Sequence, residues 1–435
     1  MKILLIEQLR KSNLSSNRFL TSFLTSFSIL PTLYIRRLAA ITPKNHQVTI
    51  LNERYHQRNI SDEYDLVVIH YNTASSSVAY EVADQFRKKN VCVILCGLHA
   101  SVLPNEALKH ADTVLLGRGE CNWLDLLKDA EKKEIQNIYP PKSLDAELCH
   151  IPSTNVRLPG FVLMGAIEAT RGCPYQCHFC PEGNTPNANQ FFTRPIEEVI
   201  EEIRNLPQKI FTFYDMSLTI DPSYTKELFR QMKPLKKHFF CNGNINLLAR
   251  DPSFVSLSKE AGCIGWLVGF ESFQQPTLES MGKSTNVVKE YKIAIDLIHS
   301  HNMIVIGDFM FGFDTDTLDV FDATFSMLKK LKIDVADFTI VTPFPGTPLF
   351  KKLQKENRLL TTNWDEYTMF NPVFQPKHMT PEQLQNGVFS LYKQFYSPKE
   401  VILRTMPTIL NGIYPFSSVA ARNLLASFNS MFLTK

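Results

Sequence analysis

Short runs of Val, Ile and Leu, mostly too short for helices, alternate along most of this chain with amphipathic stretches of helical period. An apolar run of about four to eight residues followed by a helical stretch is the signature of parallel βα units, whose strands are buried on both faces. The runs at 2–6, 47–51, 65–70, 91–95 and 113–116 predict five strands, with helices at 75–89 and 105–111 between them. Small or polar residues cluster after strand ends at 72–77, 97–101 and 117–120. Residues 1–137 therefore read as a doubly wound, Rossmann-like α/β domain that would take a ligand at the carboxyl ends of its strands. A stretch at 138–159, broken by Pro140, Pro141, Pro152 and Pro159, reads as a linker. A second block follows, with strands at 162–168, 210–214, 238–242, 264–269, 303–311 and 337–341, and helices at 195–205, 224–232, 253–261 and 288–301. Six such units predict a partial (β/α)6 barrel over 160–356, open where an eightfold barrel closes. Residues 357–435 read as a mostly helical C-terminal extension.

A chain of 435 residues exceeds one ordinary core, in keeping with two or three domains. The net charge of +3, with no basic stripe interleaved with aromatics, gives no reason to expect a nucleic-acid partner. Nine cysteines, an odd number with no secretory signal, predict reduced thiols and a cytoplasmic location. An uncharged stretch at 19–35 is interrupted by Pro31 and falls short of the ~20 apolar residues a membrane span needs. It reads as a helix and loop packed on the first domain, so no transmembrane span is expected.

Cys173, Cys177 and Cys180 stand in Thr-Arg-Gly-Cys-Pro-Tyr-Gln-Cys-His-Phe-Cys-Pro. Three thiolates at C-x3-C-x2-C spacing can converge on one soft metal centre. A cubane cluster has four irons, so three cysteines leave one iron open for a cofactor or substrate. Structural clusters and zinc ribbons normally close all four positions, which favours catalysis here. A zinc site completed by His178 or a distant cysteine, or three inert buried thiols, are the other readings of the spacing.

With Phe179 just before the third cysteine, the motif resembles that of the radical S-adenosylmethionine (radical SAM) enzymes, which carry it right after a barrel's first strand. The resemblance implies that Cys173, Cys177 and Cys180 ligate a 4Fe-4S cluster whose open iron chelates S-adenosylmethionine. One electron from the cluster then cleaves that cofactor to a 5′-deoxyadenosyl radical. The resemblance also implies cofactor contacts: the backbone at Phe179 along the adenine, and Asp215 on the amino group where many members show Gly-Gly-Glu. It further implies Asn244 near the ribose, Glu271 of Gly-Phe-Glu-Ser near the sugar or substrate, and Gly307, Phe309 and Gly312 as the fifth-strand adenine element. Locally, Asp215 and Glu271 also suit helix caps, and Asn244 a turn.

The segment 91–120 resembles the cobalamin-binding domain fused ahead of the barrel in class B members, which are methyltransferase-like. Cys96-Gly97-Leu98-His99 and Gly117-Arg118-Gly119-Glu120 stand where that subgroup shows Gly-Gly-x-His and Gly-Glu-x-Glu. By resemblance, Gly97, His99, Gly117 and Glu120 border the corrin and its tail, and Ser75 and Ser76 open a helix whose N–H groups hold the tail. One departure stands out. The Asp-x-His-x-x-Gly of many cobalamin domains is replaced by Glu7-Gln8-Leu9-Arg10-Lys11, leaving His70 and His99 as possible substitutes for the cobalt ligand.

The implied activity is cobalamin-dependent methylation of an unactivated carbon in a small-molecule or lipid-like substrate, with an electron donor such as flavodoxin or ferredoxin. Radical rearrangement, cyclisation or oxidation with a vestigial first domain is the alternative. A non-catalytic metal- or cobalamin-binding protein is a third reading.

Overall fold

A computed structural model describes residues 1–7, 33–52, 63–142, 164–186 and 190–430. Residues 8–11, most of the uncharged stretch at 19–35, most of the 138–159 linker and the first two residues of the predicted barrel strand lie outside the described residues.

The first sheet is parallel throughout and runs β2-β1-β3-β4-β5-β6. Its strands are β1 (Lys2–Glu7), β2 (Gln47–Asn52), β3 (Leu66–His70), β4 (Cys92–Cys96), β5 (Thr113–Leu115) and β6 (Ile138–Tyr139). Both faces are covered, which is why the strands read as unbroken apolar runs. Leu4, Ile6, Val67 and Ile69 pack with Ala83 and Phe86, while Ile3, Leu5 and Val68 pack with Leu38 and Trp123 on the other side. All five predicted strands are present. The sixth, β6, adds an edge within the Pro-rich stretch by pairing with Val114 and Leu115. The predicted helix at 105–111 is confined to Pro104–Ala107, and the helices Tyr34–Ile41 and Glu120–Lys132, not anticipated from the sequence, cover the second face. Strand order reverses between β1 and β3, so Glu7 and His70 end their strands at the topological switch point, where such sheets bind ligands.

Between the sheets comes β7 (Met164–Ile167), then the antiparallel ribbon β8 (Thr170–Arg171) and β9 (Phe192–Thr193) that brackets the cysteine loop. The second sheet continues with β10 (Ile210–Phe213), β11 (His238–Asn242), β12 (Cys263–Glu271), β13 (Ile304–Phe311) and β14 (Val335–Ile340). It is parallel in the order β14-β13-β12-β11-β10-β7, with β7 and β14 as its two ends, as a partial barrel requires. Its helix-facing side is rich in aromatics, among them Phe211, Phe213, Phe239 and Trp266. Its opposite side carries Phe240, Ile264, Ile304, Ile306 and Val335, which meet Val419 of the last helix, Ile413–Ser430.

The C-terminal extension is helical, as expected; it packs on the second sheet and also reaches the first domain. Tyr392 of the helix Pro381–Phe395 and Tyr396 just past its end accept from the backbone N–H groups of Phe338 and Ala336 at 3.0 and 3.1 Å. Further forward, Trp364 Nε1 donates to Glu106 in the first domain at 3.1 Å, and its ring meets His99 edge-on at 5.2 Å.

Gly97 turns the chain after β4 at φ 116°, and a Cβ there would stand 2.2 Å from the Tyr71 carbonyl oxygen. Gly412 shares the positive φ (104°) but has nothing within 4 Å of the same point. Gly97→Ala is therefore expected to destabilise by more than about 2 kcal/mol, and Gly412→Ala by only the backbone part of that. Denaturant unfolding of both variants checks this, and equal losses would show that the close approach to Tyr71 costs nothing.

Candidate functional site

The cysteine loop is held by its own hydrogen bonds. Cys180 N–H donates to the Cys177 carbonyl at 3.0 Å, and Asn184 Nδ2 donates to the carbonyls of Cys177 and Cys180 at 2.9 and 2.8 Å. Gly183 lies so close to Tyr175 that a Cβ would sit 2.4 Å from its carbonyl oxygen. Burial is the main influence on all three thiols and pushes them up, and each also feels the charge of another. Metal binding must therefore displace protons from them. Beside them stands Lys283, 2.8 Å from Glu271 and 5.9 Å above the Phe179 ring. Burial works against its charge, but Glu271 and then Cys177 outweigh burial and hold Lys283 above its ordinary value. Among the described residues no three His, Cys, Asp or Glu close around a single ion. A cubane instead spreads its cysteines over separate irons, and three thiols on one braced loop beside a half-buried cation suit such an electron-rich group.

The residues assigned to S-adenosylmethionine divide into two sets. Phe179 and Gly312 border one cavity of about 270 Å³, with Phe313 and Val341. Asn244 caps a helix, and its N–H donates to Thr219 Oγ1 at 2.8 Å. Its Nδ2 is buried without a hydrogen-bond partner, which suits an acceptor on a ligand. Glu271 sits at a bulge ending β12 with φ 61° and is paired to Lys283. Asp215 is fully buried and faces the protein itself. It accepts from the N–H of Ala169 at 3.1 Å, the N–H of Thr170 and Thr170 Oγ1 at 2.6 Å, so its oxygens brace the approach to the cysteine loop. Gly307 and Phe309 belong to an inner strand paired on both sides, and Phe309 stacks on Phe270 at 5.4 Å within the helix-facing core. Their peptides are engaged in the sheet, whereas Gly312, just past the end of β13, borders the cavity beside Phe179. His178, the alternative zinc ligand, has Nδ1 3.1 Å from the Ser280 carbonyl oxygen.

Across from the loop, the carboxyl ends of the first sheet face the mouth of the second over a cavity of about 320 Å³. Glu7, His70, Gly97, Gly117 and Glu120 line it from one side, and Glu168, Gly172, Tyr214 and Met216 from the other. His70 Nδ1 donates to Glu7 at 3.1 Å, and its ring stacks on Tyr34 at 4.3 Å. Burial disfavours the charged imidazole, but Glu7 prevails and raises His70. Gly117 N–H donates to Ser101 Oγ at 2.8 Å. Glu120 is joined by Arg37 at 3.4 Å and Arg171 at 3.7 Å; burial pushes its carboxyl up, and Arg171 and Arg37 bring it below its usual value. Glu168 completes the network with Arg171 at 2.9 Å and with Arg37.

Ser75, Ser76 and His99 are not among the residues that line this cavity. Ser75 caps with Asn72, Ser76 Oγ donates to the Thr73 carbonyl at 3.0 Å, and His99 is fully buried between Thr73 (3.3 Å) and Glu106 (3.2 Å). Their polar groups serve local structure. Lys283, Asn184 and the Arg37–Glu168–Arg171 set were missed from the sequence. Arg171 stands two residues before Cys173, but an arginine beside a motif does not announce a partner some 130 positions away such as Arg37 is for Glu168.

Residues 167–328 match the radical SAM superfamily and 347–432 a domain of unknown function, DUF4070. The chain is 29% identical over 399 residues to bacteriochlorophyllide d C-12(1)-methyltransferase of Chlorobaculum tepidum, covering 87% of this chain and 85% of that protein. It is 29% identical over 411 residues to the C-8(2)-methyltransferase of the same organism, covering 90% and 91%. In three dimensions it resembles the radical S-adenosylmethionine methyltransferase TsrM from Kitasatospora setae, solved with cobalamin and a [4Fe-4S] cluster, with TM-score 0.69 and 14% identity over 99% of both chains. That likeness supports the two-sheet fold.

Burial, and then the nearby Glu168, raise Asp215 to about 7 against the bonds from Thr170 and Ala169. The folded state thus holds a proton that the unfolded state releases near pH 4, so stability falls as pH rises from there to about 7. Relative to Asp215→Asn, the native chain is expected to lose on the order of 4 kcal/mol across that window. Unfolding of both proteins at several pH values measures it, and parallel profiles would contradict the assignment.

Proposed function

The chain belongs to the radical SAM enzymes whose barrel follows a cobalamin-binding-type domain, and on that premise we propose that it methylates an unactivated carbon of an apolar small molecule. The observation that carries this reading is the shared cavity: the switch point of the first sheet and the mouth of the second open onto the same space. Methyl transfer between two centres needs that juxtaposition, whereas a radical enzyme working alone does not.

When bound, the cluster with S-adenosylmethionine supplies a hydrogen-abstracting radical, and cobalamin supplies a methyl carrier. The protein's own share is positioning and shielding. Cys173, Cys177 and Cys180 would hold the cluster, on a loop fixed by Asn184 and by Asp215 through Ala169 and Thr170. Lys283 keeps a cation near thiolates that gather negative charge. Phe179 and Gly312 border a partly apolar cavity that could take an adenine, and Asn244 Nδ2 is a free donor for a polar part of the cofactor. Tyr214 and Met216 bring phenol and thioether surface to the cavity between the sheets, and Gly97 and Gly117 keep its far wall low. The buried ion network closes one side of that space, which protects a reactive radical from water.

Protein purified without oxygen from cells supplied with the vitamin should carry near-stoichiometric cobalamin and an iron–sulfur cluster. With reductant and substrate it should form both 5′-deoxyadenosine and S-adenosylhomocysteine. Cys177→Ala should abolish deoxyadenosine, and retained turnover in that variant would sink the radical reading. Radical rearrangement, cyclisation or oxidation without methyl transfer is favoured by one observation, the inward engagement of Ser75, Ser76 and His99. That reading predicts deoxyadenosine without S-adenosylhomocysteine, whether cobalamin is absent or bound without donating methyl. Asn244→Ala should weaken S-adenosylmethionine binding to cluster-loaded protein about tenfold, the worth of one buried hydrogen bond. Equilibrium dialysis checks this, and unchanged affinity would remove Asn244 from the site.

A further inference from the structure

From Val401 to its end the sequence holds no acidic residue, and Arg404, Arg422 and Lys435 are its only basic ones. In this tail the helix Pro398–Thr405 passes through a 3-10 turn, Met406–Asn411, and Gly412 into the helix Ile413–Ser430. The knuckle so formed turns six large apolar side chains outward. Ile402, Leu403, Met406 and Ile409 are each more than half exposed, Ile413 is 75% exposed and Leu410 84%. Soluble surfaces show such residues mostly singly, and a cluster of them marks an interaction site.

The knuckle is firmly built into the fold. Arg404 stacks on Phe395 at 3.6 Å and donates to its carbonyl at 2.6 Å. Asn423 Nδ2 donates to Thr405 Oγ1 at 3.1 Å and to the Asp334 carbonyl at 3.3 Å. Val401, Thr405, Thr408 and Val419 are buried beneath the exposed row.

Its position supplies the second observation. Tyr414, next to Ile413, packs on His238 at 4.1 Å, at the amino end of β11. His238 N–H donates to the Lys209 carbonyl, and Lys237 Nζ donates to the carbonyls of Leu206 and Gln208 on the same rim. Lys209 and Lys236 on that rim are exposed. Apolar side chains edged by lysines, with acids absent from the tail, complement the boundary of an anionic lipid layer: the carbon enters and the ammonium groups meet headgroups. The helix Ile413–Ser430 also walls a cavity of about 410 Å³ lined by Ile210, Phe240, Leu267 and Ile306, and exposed Lys209 and Ser417 are among its borders. An apolar space therefore reaches the surface beside the knuckle.

We propose that residues 402–413 dock this protein on an anionic bilayer surface, at the end of the barrel opposite the cysteine loop. The docking is independent of the chemistry proposed above. Full-length, cluster-loaded protein is mixed with phosphatidylcholine vesicles, or with vesicles of equal phosphatidylcholine and phosphatidylglycerol, and floated on a density gradient. It should float with the mixed vesicles, less with phosphatidylcholine alone, and less at high salt. The double variant Leu410→Glu, Ile413→Glu should lose about tenfold or more in vesicle affinity. Leu318→Glu, which alters an exposed leucine elsewhere, should float like the parent, and both variants should keep the parent's cluster absorbance as evidence of folding. A parent that does not float, or a double variant that floats as well as the parent, overturns the proposal. So does a dimer of the parent that the double variant abolishes while neither binds vesicles, since the knuckle would then join two copies of the chain.

Discussion

Arg37 and Arg171 share Glu120 and Glu168 in a network taken out of water at the seam between the two sheets. Burying four charges is favourable only when all remain matched, and removing one member of such a set typically costs about 3–5 kcal/mol. Two members come from the first domain and two flank the end of β7, where the chain turns into the cysteine loop. The alignment of the sheets and the entry of that loop are thus fixed by one interaction. An apolar seam would tolerate sliding, whereas paired guanidinium and carboxylate groups have one register. The cavity between the domains inherits its shape from that register, since Arg37, Glu120 and Glu168 are all on its wall.

Around the loop, order precedes ligands. The carbonyls of Cys177 and Cys180 are bonded by Asn184, the N–H groups of Ala169 and Thr170 by Asp215, and the N–H groups of Gly312 and Phe313 by Asp316 at 2.9 and 3.0 Å. Burial raises Asp316 to about 6, against the bonds from those two amides. Two carboxylates kept in apolar surroundings to hold backbone in place is an expensive arrangement, and such cost concentrates where geometry matters to function. Asn244 Nδ2, buried without a hydrogen-bond partner, still has something to bind.

Much of this was legible in the sequence because it depends on local pattern. Apolar runs gave the parallel strands, since burial on both faces leaves no polar alternation to obscure them, and the spacing of Cys173, Cys177 and Cys180 gave the loop. Side-chain partners were not legible. Asp215 and Glu271 were assigned to the cofactor by resemblance to family motifs, but what each carboxylate faces is settled by chain far away, Thr170 for one and Lys283 for the other. His99 and Ser75 lay in motif-like stretches yet were taken up by their neighbours. Helix Glu120–Lys132 was missed because Gly117-Arg118-Gly119-Glu120 was read for its glycines, and the amphipathic stretch behind it, with Trp123, Leu126 and Leu127 inward, was passed over.

The contact of Trp364 with Glu106 and His99 joins residues 258 positions apart in the chain. During synthesis the first domain emerges whole while that partner is still unmade, so the face around His99, Tyr80 and Glu106 waits uncovered through most of translation. Closure over so long a loop is slow and comes late. Assembly of the molecule is therefore ordered along the chain: the first domain and the barrel come before the segment that joins them, and a residue made late seals a face made early.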